Sequence, residues 1–305
     1  MLERPESVCG KTLSARQVAS SEVLLDTDAA ARAAVAVDPD LVLEGATPRL
    51  IDKGQIEPAL WNHVRRAVDD RDQPGQFILT GSAVPANDIT RHTGAGRITR
   101  IQMRPMSLFE SGHSTGDISL EALLNGDPVR SPDPGMTVLK IVDRVCVGGW
   151  PGFQQLSVQD ALIAVSSYLD EIRRTDINRV DGARRDPARV GKLLRALARN
   201  VATAAAVTRI AADTGDDEED NDGQIARNTI SDLNSFGLLF ESLVVRDLRI
   251  YGQRADAQVL HYRDNTELEV DATVEARAGR WAAFEVKLGG EDPIEEAATS
   301  LLRFA

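Results

Sequence analysis

The sequence is short of the residues that build covalent or metal frameworks: its 305 residues hold two cysteines and four histidines. Cys9 and Cys146 lie far apart without a CxxC pair, so neither a disulfide framework nor a structural zinc site is expected. No apolar run approaches the length of a membrane span, and Met1 is followed by Leu2-Glu3-Arg4-Pro5-Glu6 rather than by the basic-then-apolar order of a signal peptide. The expectation is a cytoplasmic chain with reduced thiols and no membrane contact. A G-x-S-x-G nucleophile turn is absent, and Gly94-Ala95-Gly96 lacks the third glycine of a dinucleotide fingerprint. His63, His92, His113 and His261 sit in unrelated settings and read as surface or core residues.

Cations are also in deficit, with 35 Lys and Arg against 47 Asp and Glu and a net charge of -12. That balance opposes broad attraction to nucleic acid or to an anionic membrane. One stretch reverses it: Glu171 to Asn200 carries nine cations and four anions, so Arg173 to Arg199 is where DNA contact is expected if there is any. An acidic run from Asp213 to Asp222 reads as an exposed loop or linker. Within it Glu218, Asp220, Asp222 and Gly223 imitate the front of an EF-hand loop. The first ligand position holds Glu and the last holds Thr229 in place of a bidentate Glu, which argues against calcium.

What is present reads as an ordinary globular composition, 42% hydrophobic and 27% charged. Val23-Leu24-Leu25, Arg49-Leu50-Ile51 and Phe77-Ile78-Leu79 are short apolar runs of strand type. Between the last two, Leu60, Trp61, Val64, Ala67 and Val68 mark one face of a crossover helix, the pattern of a parallel α/β unit. From about Leu120 to Val207 the spacing is helical. Val190, Leu193, Leu194, Leu197 and Val201 predict a helix packed through one apolar face, after a break at Gly148-Gly149-Trp150-Pro151-Gly152. A helix over Phe236 to Ile250 then precedes strands at Gln258 to Tyr262, Leu268 to Val274 and Trp281 to Lys287, and a last helix over Pro293 to Leu302.

Gly10-Lys11-Thr12 is the end of a P-loop, in which glycines turn backbone N–H groups toward phosphate, Lys neutralises the outer phosphates and Thr holds Mg²⁺. The position of the loop's first glycine holds Pro5, which lacks an N–H, and too few residues precede it for a leading strand. Arg49-Leu50-Ile51-Asp52 is an apolar strand ending in Asp, as in a Walker B segment. Phe77-Ile78-Leu79-Thr80-Gly81-Ser82 is a strand with polar residues at its C-terminal end, the edge where parallel sheets bind ligands.

Leu50-Ile51-Asp52-Lys53-Gly54-Gln55, Phe77 to Ser82, Arg104-Pro105-Met106-Ser107-Leu108-Phe109-Glu110 and Phe284-Glu285-Val286-Lys287, in that order, resemble the bacterial AAA-type P-loop ATP-binding proteins that carry a C-terminal domain of unknown function 4143. The resemblance implies an α/β fold with a P-loop NTPase-like parallel sheet lacking its first strand, a helical middle region and a restriction-endonuclease-like C-terminal domain. The corresponding segments are 1–116, 117–234 and 235–305. It implies ATP and Mg²⁺ as cofactors, with Gly10 and Lys11 on phosphate, Thr12 and Asp52 organising the metal, and Thr80 or Ser82 sensing the terminal phosphate. Arg97 and Arg100 are candidates to reach a neighbouring subunit's phosphate, and an oligomer stays open.

The departures bear on activity. The family's Walker B aspartate is followed by a glutamate that polarises water; here Lys53 stands, a cation that cannot do so. A family segment is missing near Leu233-Asn234-Ser235, and the C-terminus ends early. ATP binding without efficient hydrolysis is therefore the leading expectation, which leaves the chain's standing as an enzyme open.

At the C-terminus, Glu241, Asp271, Glu285 and Lys287 resemble the Asp, Glu-x-Lys and helical Glu of restriction-endonuclease-like cores. Asp271 and Glu285 are separated by a hairpin's length, and Glu285 and Lys287 share a strand face. Two carboxylates, here Asp271 and Glu285, with a lysine can hold Mg²⁺ and activate water for phosphodiester cleavage. A Mg²⁺-dependent nuclease is thus the alternative function; a non-catalytic interaction remnant is the third.

Overall fold

The computed structural model describes residues 10–53, 60–81, 96–132, 134–177, 185–201, 205–214, 233–266, 268–288 and 291–305. Ser82, the EF-hand-like loop, Gly94 to Ala95, Pro5, Arg179 and Arg184 lie outside these residues. The chain divides into two compact units, one up to Arg104 and one from Pro105 onward. No helix among the described residues is long and apolar enough to cross a membrane.

The first unit runs α1 (Lys11–Arg16), β1 (Ser21–Leu24), α2 (Ala29–Val37), β2 (Arg49–Asp52), α3 (Leu60–Arg71) and β3 (Phe77–Leu79). The strands form a parallel sheet in the order β1-β2-β3, with Ser21 paired to Arg49 and Arg49 to Phe77. β2 is central and buried on both faces, which is why Arg49-Leu50-Ile51-Asp52 shows a continuous apolar run instead of alternation. The core joins Val23, Leu25, Val35, Leu43, Ile51, Leu60 and Val64. Each such buried side chain contributes about 1.5–3 kcal/mol. Asp28 starts α2 by accepting a hydrogen bond from Ala31 N at 2.9 Å. The strands expected at Arg49 and Phe77 and the crossover helix between them are as read from the sequence; Leu25 falls just past β1 yet is fully buried.

The second unit begins with helices α4 (Leu120–Leu124), α5 (Val138–Val147), α6 (Val158–Glu171), α7 (Pro187–Arg199) and α8 (Val207–Asp213). It continues with α9 (Leu233–Arg254), strands β4 (Ala257–Arg263), β5 (Glu269–Ala276) and β6 (Trp281–Phe284), and α10 (Glu291–Phe304). The strands form an antiparallel sheet in the order β4-β5-β6. Val244, Leu248 and Tyr251 of α9, with Leu120 and Leu124 of α4, pack on Ala272, Val274 and Ala276 of β5. Phe304 anchors the end of α10 by edge-on contacts to Tyr262 and Trp281, with ring centroids 4.7 and 5.5 Å apart.

Two expectations about this unit are corrected. The stripe of α7 packs inward only in part: Val190 is buried, but Leu193 is 43% and Leu197 45% exposed, and Gly191 and Ala196 are the other buried positions. Side-chain size decides the face. A Cβ on Gly191 would sit 2.9 Å from the Arg173 guanidinium, so the bare glycine lets that cation pack against the helix. Second, β6 ends at Phe284, so Glu285 and Lys287 follow the strand instead of lying on it. Val286 N–H donates 2.6 Å to the Asp271 carboxylate, which takes the place of a ladder partner.

The segment from Arg104 to Glu110 has a structural role. Leu108 N–H donates 2.8 Å to Asp247 of α9, a buried carboxylate that also pairs with Arg246 at 2.7 Å. Fully buried Ser107 is closed on itself by Glu110, which accepts from Ser107 N and Oγ at 2.8 and 3.0 Å. Met106 N–H reaches Gly149 O at 2.6 Å, and a Cβ on Gly149 would lie 2.5 Å from Met106 O, so only glycine fits there.

Candidate functional site

In the first unit the polar ends of β2 and β3 meet the start of α1. Gly10 adopts a left-handed conformation at φ 75°, and Lys11 and Thr12 open the helix behind it. Thr12 Oγ donates to Asp52 Oδ1 at 3.0 Å, and Thr80 Oγ donates to the same oxygen. The parallel register explains the meeting: Ile51 pairs with Leu79, so Asp52 and Thr80 leave the sheet side by side.

Asp52 is only 5% exposed, and among the described residues it has hydroxyl partners and no ion pair. Buried carboxylates are normally paired with a cation or coordinate a metal, so this donor set fits a hydrated Mg²⁺. Lys53 follows at φ 61°, a left-handed conformation unusual for a residue with a Cβ. Arg97 pairs with Asp69 of α3 within the same unit.

In the second unit the expected cluster converges from three elements. The pair Ala272–Phe284 brings Asp271 and Glu285 to adjacent places at the end of the β5–β6 ladder. Asp271 alternates with buried Val270 and Ala272, so its side chain points away from the face they bury. Lys287 Nζ lies 2.7 Å from Glu285 Oε2 and 3.4 Å from Asp271 Oδ2. The Glu285 side chain is 6% exposed. Burial pushes the Glu285 carboxyl up; burial also opposes the Lys287 charge, but the hydrogen bond to Glu285 and the two carboxylates outweigh it and raise the lysine.

Glu241 of α9 is pushed up to about 7, first by burial and then by the Asp271 charge. Half-buried carboxyl, carboxylate pair and ammonium thus act on one another. Among the described residues no group of three or more His, Cys, Asp or Glu side chains is gathered closely enough to hold a metal ion alone. Two carboxylates suffice for Mg²⁺, which keeps several waters, but the Lys287 ammonium now lies on the oxygens such an ion would need.

Asp271, Glu285 and Lys287, but not Glu241, line a cleft of about 360 Å³ to which α10 also contributes. Spacing did not single out Glu269, Arg303 or Ser300, which also line it. Glu269 stands two residues before Asp271, so strand alternation alone would have found it. His261 lies at a bulge in β4, where the register shifts between Leu260 and Tyr262, and its Nε2 is 2.9 Å from Glu269 Oε1.

Of the basic stretch, three described cations are bonded within the fold. Arg173 pairs with Asp170, Arg185 donates to Ile177 O at 3.1 Å, and Arg199 donates to Asp213 O at 3.1 Å.

Comparison with known proteins gives three family matches. Residues 8–111 match the model of an AAA domain, residues 139–261 that of a domain of unknown function (DUF8612), and residues 236–305 that of a domain of unknown function (DUF4143). No curated protein and no solved structure matches the chain.

Proposed function

We propose that this chain, which matches an AAA-type ATPase with a C-terminal DUF4143 domain, binds ATP with Mg²⁺ in its first unit and turns it over poorly. The observation that carries the reading is the meeting of Thr12 and Thr80 on one oxygen of buried Asp52. With the nucleotide present, Lys11 would meet its outer phosphates, and Thr12 and Asp52 would hold the metal. Thr80 stands at the end of β3, within hydrogen-bond reach of that same carboxylate, and so is poised to respond to the terminal phosphate. Lys53 supplies positive charge where hydrolysis needs a carboxylate to orient water.

Titration calorimetry with ATP in Mg²⁺ tests the binding half. Heat of binding is expected from the unaltered chain and its loss from Lys11→Ala and Asp52→Asn. No binding by the unaltered chain overturns the reading. Phosphate release above the Lys11→Ala background overturns the claim of poor turnover.

A second reading is favoured by the cluster of Glu241, Asp271, Glu285 and Lys287: Mg²⁺-dependent phosphodiester cleavage in the C-terminal cleft. Asp271 and Glu285 would hold the ion, which lowers the pKa of bound water, and Lys287 would swing from them toward the phosphate. Loss of Mg²⁺-dependent DNA cleavage in both Asp271→Ala and Lys287→Ala supports it; unchanged cleavage in those variants rejects this site.

A further inference from the structure

One face of α10 forms part of the lining of the cleft that holds the carboxylates. Glu296, Ala297, Ser300 and Arg303 line it at i, i+1, i+4 and i+7, the spacing of a single helical stripe. Ala297 is buried, so the stripe is seated, and the neighbouring Phe304 is pinned between Tyr262 and Trp281. Arg303 therefore projects from a fixed point at the end of the helix.

Charge is unevenly spread across the cleft. Glu269, Asp271, Glu285 and Glu296 contribute carboxylates, and Lys287 and Arg303 contribute cations. Lys287 is engaged by Glu285 and Asp271. Glu269 takes His261 and Arg263, at 2.9 and 3.7 Å. Arg303, by contrast, makes no ion pair or side-chain hydrogen bond among the described residues, although it lines a cleft that contains carboxylates. A guanidinium left open beside a hydroxyl suits a tetrahedral oxyanion, which accepts two parallel N–H bonds from Arg and one O–H bond from Ser.

We propose that Arg303 and Ser300 form the phosphate-holding wall of the C-terminal cleft, gripping the nonbridging oxygens of a nucleic-acid phosphodiester in the cleft that Asp271 and Glu285 also line. The assignment rests on the second reading above and deepens it. Lys287 and Arg303 then approach the same phosphate from different elements. Their separate anchors, a strand end and a helix end, fix its orientation instead of its sequence, because phosphate contacts position a duplex without reading its bases.

The test is fluorescence anisotropy of a short fluorescein-labelled DNA duplex with the full chain in Ca²⁺, at several salt concentrations, beside cleavage of the same duplex in Mg²⁺. Arg303→Gln is expected to weaken binding about tenfold, the equivalent of one charge-assisted hydrogen-bonded contact. The slope of log K against log salt should fall by about 0.9, the signature of one lost phosphate contact on a duplex. Arg303→Lys keeps the charge and should keep the slope while losing affinity, and Ser300→Ala should weaken binding without changing the slope. Cleavage by Arg303→Gln should suffer in KM more than in kcat. Circular dichroism identical to the parent's is required of each variant; if Arg303→Gln does not fold, the slope of Arg303→Lys and the affinity of Ser300→Ala decide.

If the unaltered chain cleaves, Asp271→Ala does not, and Arg303→Gln keeps the parent's affinity and slope, the inference is overturned while the nuclease reading stands. If the unaltered chain neither binds nor cleaves the duplex, both are overturned.

Discussion

Lys53 and Glu241 show how one side chain can set the chemistry of a site whose other parts are conventional. Lys53 stands directly after Asp52 with left-handed backbone geometry, at a cost of about 1 kcal/mol that Lys and Glu share alike. Lys53→Glu therefore exchanges charge without adding backbone strain, and it returns the carboxylate that orients water. ATP turnover by Lys53→Glu should rise above the parent's and disappear again in the double variant Lys53→Glu, Lys11→Ala. Turnover no higher than that of Lys11→Ala alone would show that more than this residue is missing.

Glu241 gives a pH signature. Its carboxyl is raised from 4.5 to about 7 by burial first and the Asp271 charge second, so the folded chain holds this proton more tightly than the unfolded chain does. The group therefore favours folding while protonated in the folded state, and that contribution is lost as pH rises from about 4.5 through about 7. Glu241→Gln cannot ionise. Its melting temperature should exceed the parent's at pH values above that range, and the difference should shrink as pH is lowered toward 5. A difference independent of pH would contradict the burial of an ionised carboxylate at this position.

Among elements, the segment from Pro105 to Glu110 and helix α9 are held by one buried carboxylate. Asp247 accepts from Leu108 N–H, pairs with Arg246 and lies 3.4 Å from the Tyr251 hydroxyl. Asp247→Ala leaves a partly exposed guanidinium and a backbone donor without their acceptor, at a cost of about 1–3 kcal/mol. The urea midpoint for the unit beginning at Pro105 should fall accordingly, with Asp247→Asn intermediate because its amide oxygen still accepts from Leu108 N–H. A shift in Asp247→Ala no larger than that of an exposed substitution would remove this anchor from the account.

The same elements show what could be read from the sequence. The apolar triplets at Leu50 and Phe77 and the helical spacing from Leu60 to Val68 report burial directly, because a central parallel strand and its crossover helix have faces set by polarity. The meeting of Thr12, Asp52 and Thr80 was accessible for the same reason, since strand ends in a parallel sheet converge. α7 was not. Its inward face carries Gly191 and Ala196 beside Val190, and the missing side chain of Gly191 admits Arg173, so side-chain size outweighs the polarity pattern there. Asp247 was equally hidden: its partner in the chain lies 139 residues away at Leu108, and no local spacing signals a contact of that separation.

For the whole molecule, charge sets the terms on which DNA could be met. A net charge of -12 repels a duplex at long range, so binding must come from a few cations close to phosphate. The basic stretch looked like the source of those cations, but Arg173, Arg185 and Arg199 are engaged by Asp170, Ile177 O and Asp213 O. Arg189 is the exposed cation of α7 that carries no such bond among the described residues. Arg189→Gln and Arg199→Gln should therefore change duplex affinity by less than Arg303→Gln does, and their combined effect on the salt slope should stay below about 0.9, one full phosphate contact. The comparison is made by anisotropy with one duplex and one salt series for all variants. A steeper loss of slope from the α7 substitutions than from Arg303→Gln would move the DNA-facing surface from the C-terminal cleft to the helical region.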